Sequence, residues 1–245
     1  MRKLLVSYIT IGYPDKEGFI DFIKEADALG TDFFELGYPP NFAKYDGPLI
    51  RKSYNKVKLA YTNFYDLIKE ARKATDKDII VLTYLDSVKE NLNGFLKYLR
   101  ESGADGVLFP DLLIDFTDNY LDYVNKASEY GLYSVIFVNP FLPDKIISEA
   151  SKVSNPFLYY GVRPTTGIAT PVSLASLLNR LKSLTSNKVV VGFGLKDLND
   201  IREAVSSGAD GVAIGSLYVE AFENGGLERA LEVVKKVREA LDRIQ

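Results

Sequence analysis

The chain has 245 residues, of which 47% are hydrophobic and 26% charged, and a formal net charge of −3. Without a basic surplus it lacks the positive face that nucleic-acid binding usually requires, and no apolar run reaches the roughly 18–20 residues of a membrane span. The N-terminal stretch MRKLLVSYITIGYP has too short an apolar part for a secretory signal and no small-residue cleavage site. We therefore expect a cytoplasmic globular protein that binds neither nucleic acid nor membrane.

Three residue types are missing from the sequence, and the absence of two of them, Cys and His, restricts the chemistry. There is no Cys, which excludes disulfides and thiolate chemistry, and no His, which removes the commonest general base and metal ligand. Proton transfer in such a protein falls to carboxylates, Tyr or Lys. The single Met, the lack of Cys and the many Lys and Glu residues also fit a protein from a heat-adapted organism.

Eight short apolar segments, rich in β-branched and aromatic residues, have the composition of strands buried on both faces. In chain order they are 4–10, 32–36, 78–84, 106–110, 133–138, 156–160, 188–193 and 211–215. Between them lie segments with apolar residues at helical spacing. The stretches LGTDFFE, SGADGVLF and SGADGVAI each place Gly at a predicted helix end, then Asp, then a strand, as a repeated helix-to-strand turn requires.

This alternation predicts an α/β protein with a parallel sheet. Eight strands and a length of 245 residues favour a single (β/α)₈ TIM barrel over residues 1–245. An open, doubly wound sheet is the structural alternative, because alternation alone does not prove closure. In a barrel of this kind, chemistry belongs at the carboxyl ends of the strands and in the loops that follow them.

A glutamate ends the second predicted strand, in the stretch FFELGYPPNFAKYDGP. The connection from Glu35 to the next clear helix, near Thr62, is long, which is typical of a binding loop and allows a short helix at 48–57. An ionised carboxylate at a buried strand end is costly unless it is paired. Glu35 is therefore either a proton-transfer group with a raised pKa or the partner of a nearby cation such as Lys44 or Arg51.

Asp46 lies in the same loop, directly before Gly47-Pro48. From the sequence pattern alone, an Asp in this position is better explained as a turn residue. Asp111, in FPDLL after the fourth strand, has two open interpretations of the same kind, a catalytic carboxylate or a loop cap.

Two Gly-rich strand ends, VGFGLKD at 191–197 and AIGSLYVEA at 213–221, each lead into a predicted helix. Gly allows the backbone to approach an anion, and helix N-termini offer free N–H groups. A third loop, GVRPTTGIATP at 161–171, is either a lid over a ligand or a surface connection. Six strand-end side chains could line an apolar pocket or simply pack the barrel: Tyr8, Leu82, Tyr84, Leu108, Ile136 and Phe193. No metal cluster, P-loop or dinucleotide motif is present.

The motifs YITIGYP, ELGYPP…YDGP, VLTY, GVLFPDL, TTG, VGFG and AIGS, in this order over nearly the whole chain, resemble the tryptophan synthase α subunit family. The resemblance implies a carbon–carbon lyase of tryptophan biosynthesis. Its reaction is the retro-aldol cleavage of indole-3-glycerol phosphate to indole and glyceraldehyde 3-phosphate, and indole then passes to a β subunit. It also implies an α₂β₂ heterotetramer, with pyridoxal phosphate on the β partner and neither cofactor nor metal in this chain.

The same resemblance implies site residues. Glu35 and Asp46 match the two catalytic carboxylates of the family. The phosphate-binding positions correspond to Gly167, Gly194, Gly215 and Ser216. The indole-binding positions correspond to Tyr8, Leu82, Tyr84, Leu108 and Phe193, while Thr166 matches a loop threonine that positions the aspartate. The family's strand-six tyrosine falls on Leu158 or Tyr159.

Two other functions stay open at this point. One is another phosphate-binding barrel enzyme such as an indole-3-glycerol phosphate synthase, which is expected to carry catalytic Lys residues on its strands. The predicted strands contain only Lys188, at a strand start. The other is a non-catalytic barrel retained as an allosteric partner, which is expected to bind a phosphate ligand without turnover.

Overall fold

Eight parallel strands close into a barrel in chain order in the computed structural model, which describes residues 2–162 and 172–244. The strands are β1 (Leu4–Thr10), β2 (Phe33–Gly37), β3 (Asp78–Leu82), β4 (Gly106–Leu108), β5 (Tyr133–Val138), β6 (Leu158–Gly161), β7 (Val189–Gly192) and β8 (Gly211–Ile214). β1 pairs with β8, with Leu4 opposite Gly211, so the sheet has no free edge. The predicted (β/α)₈ barrel is confirmed, and the open-sheet alternative is wrong.

Helices follow or connect the strands on the outside. They are α1 (Lys16–Ala28), α2 (Pro48–Ala60), α3 (Phe64–Ala74), α4 (Leu85–Val88), α5 (Leu92–Glu101), α6 (Leu112–Asp115), α7 (Tyr120–Glu129), α8 (Asp144–Val153), α9 (Leu174–Leu184), α10 (Leu198–Ser206) and α11 (Ser216–Asp242). α11 is broken at Gly225 and Gly226, whose backbone angles are not helical. No helix in the part of the chain that the structure describes could cross a membrane.

Two strands end two residues earlier than the apolar pattern predicts. β3 stops at Leu82 and β4 at Leu108, where the pattern continues to residues 84 and 110. Buried turns follow both strands, and Asp111 accepts the backbone N–H groups of Leu85 and Asp86 at 2.8 and 3.0 Å. The loop-cap interpretation of Asp111 is therefore confirmed, since its side chain secures the start of α4.

The strands separate two layers of apolar side chains. One set packs between the barrel and the helices and includes Phe34, Leu36, Leu158 and Tyr160. The other fills the barrel interior and includes Ile80, Leu82, Leu108, Phe137, Tyr159 and Val190. Because side chains alternate across a strand, each β residue belongs to one layer or the other. This alternation directs Glu35, between Phe34 and Leu36, to the inside.

The repeated Gly-x-Asp turns lie at the amino ends of the strands. Asp32, Asp105 and Asp210 each accept a backbone N–H of a neighbouring strand, at 2.8, 2.9 and 2.7 Å. Arg238 and Arg72 pair with Asp32 and Asp105 at 3.2 and 2.9 Å. These aspartates stabilise the face opposite the strand ends where barrel chemistry takes place.

Candidate active site

A cavity of about 240 Å³ opens at the carboxyl ends of the strands. Its walls come from β1, β2, β3, β6 and β8, from the loop after β7, and from the N-terminal turns of α2 and α11. Eight of the residues proposed from the sequence line it together: Tyr8, Glu35, Asp46, Leu82, Phe193, Gly194, Gly215 and Ser216.

Glu35 reaches the cavity from the middle of β2, where it stands in register with Tyr8 of β1. Its side chain is almost completely buried, with 2% exposed. Burial, and then the nearby charge of Asp46, raise the pKa of Glu35 to about 8. At neutral pH this carboxyl group is therefore mostly protonated and able to act as an acid.

The cations proposed as partners of Glu35 lie elsewhere. Lys44 binds Asp115 at 2.7 Å and Asp86 at 3.4 Å, outside the cavity. Arg51 lies near Asp46 and lowers the pKa of that carboxyl group. The ion-pair interpretation of Glu35 therefore fails for Lys44.

Asp46 lies in the β2–α2 loop and points into the cavity beside Glu35. The Tyr84 hydroxyl donates a hydrogen bond of 2.9 Å to Asp46 Oδ2 and accepts the Tyr45 backbone N–H at 2.9 Å. Burial raises the pKa of Asp46 to about 6, while the Tyr84 hydrogen bond and Arg51 lower it. Near neutral pH Asp46 is therefore mostly ionised while Glu35 holds its proton.

Contacts to the loops after β3 and β4 hold the Asp46 loop in place. The Asn41 backbone N–H donates to Ser87 Oγ at 2.9 Å. The Tyr45 hydroxyl donates to Asp115 Oδ1 at 3.1 Å, next to the Lys44 ion pair with the same carboxylate. The turn interpretation of Asp46 is thus incomplete, because the turn directs a buried carboxylate at the cavity.

Aromatic and aliphatic side chains form the walls opposite the carboxylates. Tyr159 lines the cavity from β6, whereas Leu158 packs in the outer layer, so Tyr159 is the one of the two that faces the cavity. The rings of Tyr159 and Phe193 are 6.3 Å apart. Phe193 has a φ of 53°, a left-handed backbone that bulky residues rarely adopt and that often marks functional sites.

The other end of the cavity is formed by backbone-rich segments. Gly194 follows β7 with a φ of 118°, and Gly215 and Ser216 begin the long helix α11. The first turn of a helix presents free N–H groups and a favourable dipole to an anion. Gly215 also has a packing role, because a Cβ atom there would lie 2.7 Å from the Tyr8 ring.

The remaining proposed residues have other positions. Tyr84 stands behind Asp46 as its hydrogen-bond donor, and Leu108 packs in the barrel interior without lining the cavity. Thr166 and Gly167, in the predicted lid, lie outside the described residues.

Sequence reasoning missed several lining residues: Pro48, Leu49, Ile50, Leu195, Lys196, Ala213, Ile214, Leu217 and Glu220. The first three could have been found from the short helix predicted directly after Asp46. Lys196 and Glu220 carry charges, yet no sequence signal separates them from ordinary exposed helix residues.

Two neighbouring buried carboxylates, one protonated and one ionised, face an apolar cavity whose wall also contains a helix N-terminus. Within residues 2–162 and 172–244, no group of three acidic side chains is placed to hold a metal ion. Together with the closed barrel, this site defines a (β/α)₈ enzyme of the acid–base type. Residues 1–244 match the family described as tryptophan synthase alpha chain, and the chain belongs to that family.

Individual relatives agree with this assignment. The chain is 53% identical to the tryptophan synthase alpha chain of Sulfurisphaera tokodaii over 99% of both chains. It is 48% identical to that of Saccharolobus solfataricus, over 99% of this chain and 98% of the relative. A solved tryptophan synthase alpha-subunit variant from the hyperthermophile Pyrococcus furiosus superposes with a TM-score of 0.84, at 28% identity and full coverage of both chains. These thermophilic relatives confirm the expectation of a heat-adapted source.

Proposed function

We propose that this chain cleaves indole-3-glycerol phosphate to indole and glyceraldehyde 3-phosphate. The observation that carries the proposal is the pair Glu35 and Asp46, two neighbouring carboxyl groups whose pKa values of about 8 and about 6 give them different protonation states near neutral pH. Membership in the tryptophan synthase alpha chain family supports the same reaction.

The proposed reaction uses Glu35 as its proton donor and Asp46 as an anion. Glu35 gives its proton to indole C3, and Asp46 holds the indole N–H while positive charge develops on that nitrogen. The ionised Glu35 then takes the proton of the C3′ hydroxyl, and the C3–C3′ electron pair returns to the ring. The hydroxyl carbon leaves as the aldehyde, and Glu35 has recovered its proton.

The cavity can hold the two ends of this substrate in separate environments. The indole ring packs against Tyr8, Leu82, Tyr159 and Phe193, with Leu108 behind them. The phosphate lies at the N-terminus of α11, near Gly194, Gly215 and Ser216, and that remote binding orients the reacting carbons. By resemblance, Thr166 and Gly167 belong to the same proposal, as the residue that positions Asp46 and as a phosphate contact.

The proposal extends to the setting of the reaction. The chain acts as one barrel domain in the cytoplasm and passes indole to a β subunit, within an α₂β₂ assembly that carries pyridoxal phosphate on the β partner. The proposed steps themselves use carboxylates and backbone groups of this chain, and they call for no cofactor here.

The chain lacks the strand lysines that an indole-3-glycerol phosphate synthase is expected to use in catalysis. None of the eight strands contains a lysine, and Lys188 precedes β7 at the end of the barrel opposite the cavity. A lysine at a strand start cannot reach a substrate bound at the carboxyl ends.

One experiment separates these functions. The purified chain is incubated with indole-3-glycerol phosphate, with and without a tryptophan synthase β subunit, and indole is measured. Indole release by the wild type supports the proposal. Binding without indole release supports the non-catalytic partner, and ring closure of a carboxyphenylamino precursor supports the synthase.

A further inference from the structure

A chain of buried hydroxyl groups leads from the cavity wall to the helix that follows Asp46. The Tyr8 hydroxyl lies 3.0 Å from Thr10 Oγ1, and Thr10 Oγ1 lies 2.6 Å from Ser53 Oγ on α2. Ser53 Oγ donates to the carbonyl of Ile50 at 2.7 Å. Thr10 and Ser53 are completely buried, and Tyr8 is 6% exposed.

Counting protons fixes the direction of this chain. Each hydroxyl group has one proton to donate. Ser53 gives its proton to the Ile50 carbonyl, so Thr10 must donate to Ser53, and Tyr8 must donate to Thr10. The chain therefore runs one way, from the cavity wall to the backbone of α2, and replacing Thr10 by an apolar residue breaks it at its centre.

The position of α2 controls the position of Asp46. Only Gly47 separates Asp46 from Pro48, the first residue of α2, and Ile50 also lines the cavity. On the β3 side, Tyr84 holds the carboxylate itself. On the β1 side, Thr10 Oγ1 and Ser53 Oγ form a buried side-chain hydrogen bond of 2.6 Å between β1 and α2.

The neighbouring Tyr54 does not replace this bond. Its hydroxyl is buried close to Asp46 and faces the Tyr8 hydroxyl, at the cavity end of the chain. Thr10 and Ser53 therefore join the end of β1 to α2 independently of Tyr54.

We propose that Thr10 and Ser53 are positioning residues for Asp46: through the directed hydroxyl chain they hold the start of α2, and with it the Asp46 carboxylate, at the cavity edge. This inference rests on the proposed cleavage reaction. Neither residue touches the substrate, and both act through Asp46.

The decisive readout is the pH dependence of turnover, because the pKa of Asp46 reports its surroundings. Burial raises this pKa, so a loosened α2 that admits water lowers it toward the ordinary carboxyl value. The acid side of the kcat/KM profile, which reports the unliganded enzyme, then moves below about pH 6 while the maximal kcat falls. The ionisable groups that face Asp46 are Glu35, Tyr8, Tyr54, Tyr84, Tyr159 and Arg51.

Thr10→Val and Ser53→Ala break the chain at two points, and Thr10→Ser keeps the hydroxyl. Thr31→Val is the matched control, since Thr31 Oγ1, just before β2, forms a buried hydroxyl pair at 2.8 Å with Ser7 Oγ of β1, away from α2. We expect Thr10→Val and Ser53→Ala to lower kcat about tenfold and to move the acid limb by about one pH unit, with KM changed less. Thr10→Ser should restore both, and Thr31→Val should lower only the melting temperature.

Hydrogen–deuterium exchange of residues 44–54, measured without substrate, is a readout independent of turnover. We expect faster exchange there in Thr10→Val and Ser53→Ala than in Thr31→Val. Equal exchange in all three variants overturns the inference. It is also overturned if the wild type is active and the acid limbs of Thr10→Val and Ser53→Ala coincide with that of the wild type. If the wild type releases no indole but the exchange differs, the proposed reaction fails while the control of the Asp46 loop by Thr10 and Ser53 stands.

Discussion

Tyr84 and Asp46 form a directed pair, with the phenol hydroxyl 2.9 Å from Asp46 Oδ2. An ionised carboxylate can only accept, so Tyr84 is the donor, and its oxygen is at the same time held by the Tyr45 N–H. Both side chains are buried. The tyrosine therefore stabilises the charged form of Asp46 at the place where the proposed reaction needs an anion.

Removing this donor should narrow the pH range of activity. The Tyr84 hydrogen bond lowers the pKa of Asp46, so Tyr84→Phe should raise it by about one unit, as expected for a hydrogen bond to a charged group worth roughly 1.5 kcal/mol. The acid limb of the kcat/KM profile should move to higher pH, which is opposite to the shift expected for Thr10→Val. Profiles of wild type and Tyr98→Phe, an exposed tyrosine on α5, serve as controls. An unchanged acid limb would contradict the assigned role.

Wild-type turnover should follow a bell-shaped pH profile. Asp46 must lose its proton and Glu35 must keep its own, so activity should rise near pH 6 and fall near pH 8. Measuring kcat/KM of the free chain from pH 5 to 10 tests this order, because kcat/KM reports the pKa values of the unliganded enzyme. A profile that keeps rising beyond pH 9 would mean that protonated Glu35 is not the acid.

Changing each carboxyl group to its amide should separate the two roles. Glu35→Gln removes the proton that moves between C3 and the C3′ hydroxyl, so indole release should fall at least about 10³-fold with the fold intact. Circular dichroism checks the fold. Retention of most activity would exclude Glu35 as the proton carrier.

Asp46→Asn keeps the shape of the side chain but loses its charge. Turnover should fall strongly, on the order of 10²-fold, because the positive charge on the indole nitrogen is no longer compensated. Affinity for inorganic phosphate, measured by competition, should stay similar. If phosphate affinity fell and kcat were maintained, Asp46 would be a loop anchor instead.

The buried Glu35 should make the chain less stable as the pH rises. Its folded pKa of about 8 lies above the unfolded value of 4.5, so unfolding releases a proton between these values and is favoured progressively from about pH 4.5 to pH 8. Glu35→Gln should therefore be more stable than wild type at pH 9, by on the order of a few kcal/mol, and similar at pH 4. Urea denaturation at both pH values measures the difference, with the exposed Glu203→Gln as control. A difference that is the same at pH 4 and pH 9 would be evidence against a buried, mostly protonated Glu35.

Lys196 is the cationic side chain among the described residues that line the cavity, two residues after Gly194 in the segment proposed to bind the phosphate. It is exposed, so its attraction to a phosphate is worth only about 0.5–1 kcal/mol. Lys196→Met should raise KM for the phosphorylated substrate about two- to fivefold with kcat nearly unchanged, and the effect should disappear at high salt. Lys188→Met, an exposed lysine at the other end of the barrel, should change neither constant. An unchanged KM in Lys196→Met at low salt would exclude this contact.

The sequence predicted the positions of Glu35 and Asp46 at the barrel face better than it predicted the residues that surround them. Glu35 could be placed because it interrupts an apolar strand, and a charge there is costly. Asp46 could be placed on the same face, yet its role came from the family resemblance, since the pattern before Gly-Pro is that of a common turn. Tyr159 and Leu158 could not be separated, because a one-residue shift in register exchanges the inner and outer faces.

By itself, the sequence determined a parallel sheet covered by helices, because eight apolar strands separated by amphipathic helices must bury both faces, and the strand number favoured a closed barrel. It also left proton transfer to carboxylates, Tyr or Lys, since the chain has neither His nor Cys. Only the tertiary structure decided which groups surround those carboxylates. The Tyr84–Asp46 bond spans 38 residues and the Thr10–Ser53 bond 43, and the burial that raises both carboxyl pKa values comes from side chains distant in sequence. Local patterns do not encode such contacts, because they form only when the barrel closes.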